Sequence, residues 1–264
     1  MSVLPGAEPF QYLPDTPTRP VGVVLCHGFT GCPQSMRPWG EYLRDAGFAV
    51  DCPLLPGHGT RWQDMNATRW EDWYAELERA FDAMRERLGP GSSVFAMGLS
   101  MGGTLITRLA QERGDEVAGI VLVNPSYLTL RRDAKLLPLV SRVVPSFPGI
   151  GSDIKKPDMT ELAYPRIPLK AAYSLNQLWG VVRADLHRVS VPIRLFHSAV
   201  DHVVEPINSQ VLLDSVSSAD VQEIVLENSY HVATLDNDAD VIFTGSVEFV
   251  NALASTQPEP DRPQ

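Results

Sequence analysis

Three residues far apart in the chain could together activate a hydroxyl: Ser100, Asp201 and His231. Ser100 is the centre of Gly98-Leu99-Ser100-Met101-Gly102, the pattern G-x-S-x-G. A serine hydroxyl is a poor nucleophile at neutral pH. It needs a base within hydrogen-bond reach, and the base needs a carboxylate to fix its tautomer and stabilise its protonated form. With Gly and Ser each near 7% of residues, the bare pattern arises by chance in about one chain in ten of this length. Its setting is more specific. Val94-Phe95-Ala96-Met97 suits a fully buried strand, and Thr104 to Ala110 repeats apolar residues at helical spacing. A strand that turns into a helix around a serine is a nucleophile elbow. Side chains beside that serine would collide with the strand and the helix, and Gly98 and Gly102 relieve the crowding. The helix then aims its first N–H groups, and its positive dipole end, at the hydroxyl.

The partners follow from chain order. In such a site the order is Ser, acid, His, each after a strand at one edge of the sheet. His231 lies in the loop after the last strand, Glu227-Asn228-Ser229-Tyr230-His231, where the base belongs. Of the other five histidines, His27 opens the first loop and suits packing or hydrogen bonding there. His58 sits in a turn, His187 in an inserted segment, and His197 at a strand end, where it reads as buried. His202 follows Asp201 directly and is expected to point away from it. For the acid, Asp201 ends the next-to-last strand; Asp185, Asp236 and a carboxylate after the strand ending at Asn124 are its rivals. The tetrahedral oxyanion needs two donors. The N–H of Met101, next after the nucleophile, is one; the N–H of Phe29, in the loop after the first parallel strand, is the candidate for the other.

The elements that must position these groups alternate. Val21-Gly22-Val23-Val24-Leu25-Cys26 is apolar on both faces, as a buried parallel strand is, and runs into His27-Gly28-Phe29-Thr30-Gly31. Met36, Trp39, Leu43 and Ala46 recur at helical spacing and Gly47 ends that helix. Residues 48–52 form a second strand, ending in the turn Pro56-Gly57-His58-Gly59. Thr68-Arg69-Trp70-Glu71 reads as a capping box for a helix with Trp73, Leu77, Phe81 and Met84 on one stripe. The elbow strand and its helix come next, then a strand over residues 119–125. This order predicts an α/β fold: a mostly parallel twisted sheet with helices on both faces and ligands at the carboxyl ends of its strands.

From 126 to 190 the pattern changes. Six prolines fall there (138, 145, 148, 157, 165, 168), with two helical stretches, one around residues 136–143 and one from about 169 to 185. No strand is evident. The stretch reads as an inserted cap, 126–190, whose apolar faces are buried on the core or line a substrate pocket; an ordinary pair of packing helices is the alternative. Strands at 191–196 and 221–226, a helix opened by Pro206 and a helix over 237–254 complete the core, residues 1–125 and 191–255. Residues 256–264 read as a polar, disordered tail.

Composition sets bounds. The chain of 264 residues has 22 Lys and Arg against 32 Asp and Glu, a net charge of −10. That disfavours nucleic acid and anionic membrane as partners. No apolar run approaches the ~18 residues of a membrane span, and residues 1–20 have neither the basic start nor the apolar core of a signal peptide. Cys26, Cys32 and Cys52 form no C-x-x-C pair, so free thiols in a reducing cytoplasm are expected. The chemistry requires no metal and no organic cofactor.

Taken together, His27-Gly28-Phe29-Thr30-Gly31, Gly57-His58-Gly59, Gly98-Leu99-Ser100-Met101-Gly102-Gly103, Asp201-His202-Val203-Val204 and Asn228-Ser229-Tyr230-His231-Val232 resemble the α/β-hydrolase family. More narrowly they are similar to bacterial carboxylesterases and monoacylglycerol lipases with a small cap. The resemblance implies hydrolysis of short- to medium-chain acyl esters, monoacylglycerols among them, through an acyl-enzyme on Ser100. The same triad also serves thioester cleavage, acyl transfer and peptide opening, and a ligand-binding protein on this scaffold is the non-enzymatic alternative. One departure is Tyr230, where the family pattern has glycine.

Overall fold

Residues 21–26 and 93–99 are buried to the last residue, so both strands must lie inside a sheet covered on its two faces. The computed structural model describes residues 2–13, 20–149 and 151–255. In chain order its elements are β1 (Phe10–Tyr12), β2 (Val21–Cys26), α1 (Arg37–Asp45), β3 (Ala49–Cys52), α2 (Trp62–Met65), α3 (Trp70–Leu88), β4 (Ser93–Leu99), α4 (Met101–Arg113) and β5 (Ile120–Val123). Then come α5 (Leu137–Val140), β6 (Ser146–Pro148), β7 (Arg166–Pro168), α6 (Leu169–Ala184), β8 (Ile193–Ser198), α7 (Ile207–Leu213), β9 (Val221–Leu226) and α8 (Ala239–Ala254).

The main sheet has the order β1-β3-β2-β4-β5-β8-β9. Its pairs are parallel except β1, which runs antiparallel on β3. β1 is absent from the sequence reading, because three residues are too few to display a period. The chain leaves β2 towards β3 on one side and then lays β4 on the other. Strand order therefore reverses between β2 and β4, the crevice where open α/β sheets bind ligands. The 27–31 loop leaves one of these strands and Ser100 leaves the other.

Two apolar layers enclose the sheet. Trp73, Leu77, Phe81 and Met84 of α3 and Leu105, Ile106 and Leu109 of α4 fill one face. Trp39 and Leu43 of α1 and Ile242, Phe249 and Val250 of α8 fill the other. Residues 126–190 lie between β5 and β8. Here α6 joins the first layer through Leu175, Leu178 and Val182. The earlier helical stretch departs from expectation: α5 is one turn that opens with Leu137-Pro138, and Leu136, Leu139 and Val143 are exposed rather than buried. β6 and β7 form a small antiparallel pair that the sequence hides, since Pro148 and Pro168 sit at its ends and proline argues against a strand.

The start of α3 also differs by one residue. Arg69, not Thr68, is the N-cap, and its N–H donates to Asp72 Oδ2 at 2.8 Å. Thr68 Oγ1 instead donates to the Met65 carbonyl and accepts from Trp73 Nε1, both at 2.9 Å. The Trp70 N–H, an orphan of the first turn, donates to Ser174 Oγ of α6 at 2.9 Å, so the 126–190 segment completes this cap. Among the described residues no helix is long and apolar enough to cross a membrane. The tail expected at 256–264 lies outside the described residues.

Candidate active site

Ser100 sits between β4 and α4 with φ 56° and ψ −120°, a conformation that L side chains rarely adopt. Its N–H donates to the Val123 carbonyl of β5 at 2.9 Å, and its own carbonyl accepts the Thr104 N–H at 3.2 Å. The flanking glycines are required by contact. A Cβ on Gly98 would stand 2.5 Å from the Gly102 carbonyl, and one on Gly102 would stand 2.0 Å from the Cys26 carbonyl oxygen at the end of β2. Both obstacles are backbone, which cannot step aside. Gly102→Ala is therefore expected to destabilise the fold by about 3 kcal/mol or more. Gly180→Ala is the control, because a Cβ there meets nothing within 4 Å on α6, and it is expected to stabilise by about 0.5–1 kcal/mol. Urea titrations of the two variants check both signs.

Asp201 follows β8 and His231 follows β9, and their side chains meet: Asp201 Oδ2 lies 2.7 Å from His231 Nδ1. Asp201 Oδ1 accepts the N–H groups of Val203 and Val204, each at 2.8 Å. Burial raises the Asp201 pKa, but the His231 charge and these hydrogen bonds outweigh it and leave the carboxyl below its usual value. Burial pulls His231 down, but Asp201, Glu161 and Asp153 together outweigh it and raise the imidazole above the usual 6.5. Asn124, which follows the carbonyl that holds Ser100, donates through Nδ2 to the His231 carbonyl at 2.8 Å. Two consecutive residues at the end of β5 thus anchor the loops of both Ser100 and His231. Asn124 adopts φ 44°, which asparagine tolerates.

The 27–31 loop closes the site from β2. A Cβ on Gly28 would touch the Ser100 Cβ at 3.4 Å, so this loop lies directly against the elbow. Burial lowers His27 to a pKa of about 4, so it is neutral, and its Nε2 accepts the Leu55 N–H at 3.2 Å. Phe29 sets its ring edge-on to Trp73, with centroids 6.0 Å apart. Met101 is the first residue of α4, so its N–H has no acceptor one turn back.

The remaining histidines and rival acids make other contacts. His58 packs edge-on against His27 and Trp73 and is held by burial well below its usual pKa. His187 lies in the turn after α6. His197, expected to be buried, has a side chain 21% exposed and faces Glu223 at 3.1 Å, because β9 beyond it is an edge strand. His202 turns from Asp201 to Asp153, at 2.8 Å. Asp185 pairs with Arg108 at 2.9 Å. Asp236 accepts the N–H groups of Tyr230, Lys155, Lys156 and Asn237. Tyr230 lays its ring against His202, with centroids 4.6 Å apart.

Two carboxylates near the imidazole have no motif to announce them. Glu161 reaches the 27–31 loop: a Cβ on Gly31 would stand 2.6 Å from its Oε1. Burial raises its pKa to about 7 against the opposing pull of His231 and Ser35. Asp153 accepts the His231 N–H at 3.2 Å. Among the described residues no group of three or more His, Cys, Asp or Glu is arranged to hold a metal ion.

Residues 19–238 match the family described as serine aminopeptidase, S33, a hydrolase family. The chain is an α/β-hydrolase of this family. It is 40% identical over 247 residues to the thermostable monoacylglycerol lipase of Bacillus sp. (strain H-257), covering 94% of this chain and 95% of that one. It is 25% identical over 233 residues to a carboxylesterase of Bacillus subtilis (strain 168), covering 88% and 92%. Among solved structures, one from work on LipS and LipT, two metagenome-derived lipolytic enzymes, superposes with a TM-score of 0.90 at 39% identity, covering 95% of this chain and all of that one. The reversal between β2 and β4, with a strained serine at one strand end, is thus an α/β-hydrolase crevice.

Proposed function

We propose that this α/β-hydrolase is a carboxylester hydrolase acting through Ser100, His231 and Asp201. The observation that supports it most is the Asp201–His231 pair at 2.7 Å on the rim that carries the strained Ser100. Asp201 holds the proton on Nδ1, which leaves Nε2 to accept the Ser100 proton as Oγ attacks the ester carbonyl. The N–H groups of Met101 and Phe29 receive the oxyanion. His231 then returns its proton to the leaving alcohol, and water enters through the same base to release the acid. The 40% identity to a monoacylglycerol lipase favours monoacylglycerols as substrates; the acyl chains proposed are short to medium.

The family description favours one second reading, an aminopeptidase. Monoacylglycerols and aminoacyl anilides, offered to the same preparation, separate the two. Fatty-acid release from the esters is expected with no measurable anilide cleavage; the reverse preference assigns a peptidase. Residues 126–190 act as a cap on a core formed by 1–125 and 191–255. The hydrogen bonds from Tyr164 to the Thr30 carbonyl and from Val232 to the Asp153 carbonyl support this, since they tie the segment to both active-site loops. Three buried free cysteines suit a reducing cytoplasm.

A further inference from the structure

The loop that carries His231 is stitched to residues 153–156 by two carboxylates working in opposite directions. From the 126–190 segment, Asp153 Oδ2 accepts the N–H of His231 at 3.2 Å and that of His202 at 3.1 Å. Its Oδ1 lies 2.8 Å from His202 Nδ1. From the other side, Asp236 accepts the N–H groups of Lys155 and Lys156 at 2.7 and 2.8 Å. The Val232 N–H closes the seam on the Asp153 carbonyl at 3.1 Å. His202 in turn adjoins Asp201, the partner of the imidazole. One carboxylate therefore grips the main chain on both sides of the Asp201–His231 pair.

We propose that Asp153 is a positioning residue for the base: it fixes the His231 main chain against the Asp201 loop and places a negative charge behind the imidazole. The proposal rests on His231 acting as the general base. The physical reason is leverage. The ring hangs on one Cα, and a shift of about 1 Å in a reacting group can cost ~100-fold in rate. Asp153 has a side chain only 10% exposed, so its hydrogen bonds are shielded from competing water. Three carboxylates face the imidazole: Asp201 after β8, and Glu161 and Asp153 from the 126–190 segment. The titratable partner of Asp153 itself, besides His231, is His202, whose side chain is 53% exposed.

Two variants separate position from charge. Asp153→Ala removes the grip and is expected to lower kcat about 100-fold with KM nearly unchanged. Asp153→Asn keeps an oxygen for the two main-chain N–H groups. Its amide then faces His202 Nδ1, and the exposed His202 ring can change tautomer to accept it. This variant is expected to keep kcat within a few-fold of wild type at high pH. Its acidic limb should move to lower pH, because one of the charges that favour imidazolium is gone. A merely structural Asp153 would lower the melting temperature without moving that limb. The measurement is a kcat and kcat/KM profile against pH on a soluble p-nitrophenyl ester, with Ser100→Ala alongside. An Asp153→Ala enzyme with wild-type kcat, or an Asp153→Asn enzyme with an unmoved limb, overturns the proposal. If Ser100→Ala stays active, the triad reading fails instead. If Asp153→Ala does not fold, the limb of Asp153→Asn decides alone.

Discussion

Ser100→Ala is expected to lower kcat on p-nitrophenyl esters by about a million-fold, the loss typical when the nucleophile of a serine triad is removed. The fold should survive the change. The anchors of residue 100 are main-chain: its N–H on the Val123 carbonyl and its carbonyl under the Thr104 N–H. Alanine keeps both, and it bears the φ of 56° no worse than serine, since both carry a Cβ. Substrate binding should persist as well, because the N–H groups proposed as oxyanion donors and the neighbouring walls are untouched. The prediction is therefore a collapse of kcat with KM and melting temperature little changed. A fluorophosphonate should label the wild type and leave the variant unlabelled. Undiminished turnover would remove Ser100 from the chemistry. Labelling that persists in the variant would place the nucleophile elsewhere.

The parts of this molecule that could be read without coordinates are those written locally. β2 and β9 keep the bounds read from the sequence, at 21–26 and 221–226. The elbow is legible because its geometry imposes residue types: the 2.0 Å approach of a Gly102 Cβ to β2 admits only glycine. Asp201 and His231 are legible because chain order places each after a strand of one parallel sheet, and their side chains do meet. What escaped is long-range. Asp153 stands 78 residues from His231, and Glu161 lies 130 residues from Gly31; neither belongs to a pattern. The β6–β7 pair is disguised by prolines that its short ends tolerate. Even the shift of the α3 cap from Thr68 to Arg69 follows from tertiary contact, since Ser174 supplies an acceptor that a local rule does not anticipate.

Asp201→Asn should cost about 10⁴-fold in kcat while leaving the site's geometry intact. The reason lies in how the two carboxylate oxygens are used. Oδ1 is committed to two donors, the N–H groups of Val203 and Val204 at 2.8 Å each. Asparagine must keep its single oxygen there, or it would aim an amide N–H at two other N–H groups. The NH2 then faces His231 Nδ1 at the position Oδ2 held, 2.7 Å away. An amide N–H opposite Nδ1 turns that nitrogen into an acceptor. The ring proton moves to Nε2, and Nε2 can no longer take the proton from Ser100. The loss is one of tautomer, not of structure, so stability at neutral pH should change far less than rate. The pH profile supplies a second check. His231 works as a base only when neutral, and its raised pKa puts the acidic limb of the wild type above the ordinary histidine value. Among the partners that raise it, Asp201 contributes first, by its charge and its hydrogen bond. Residual activity of the asparagine variant should therefore extend to lower pH than that of the wild type. A variant that keeps near-wild-type kcat at neutral pH would show that Asp201 does not orient the base.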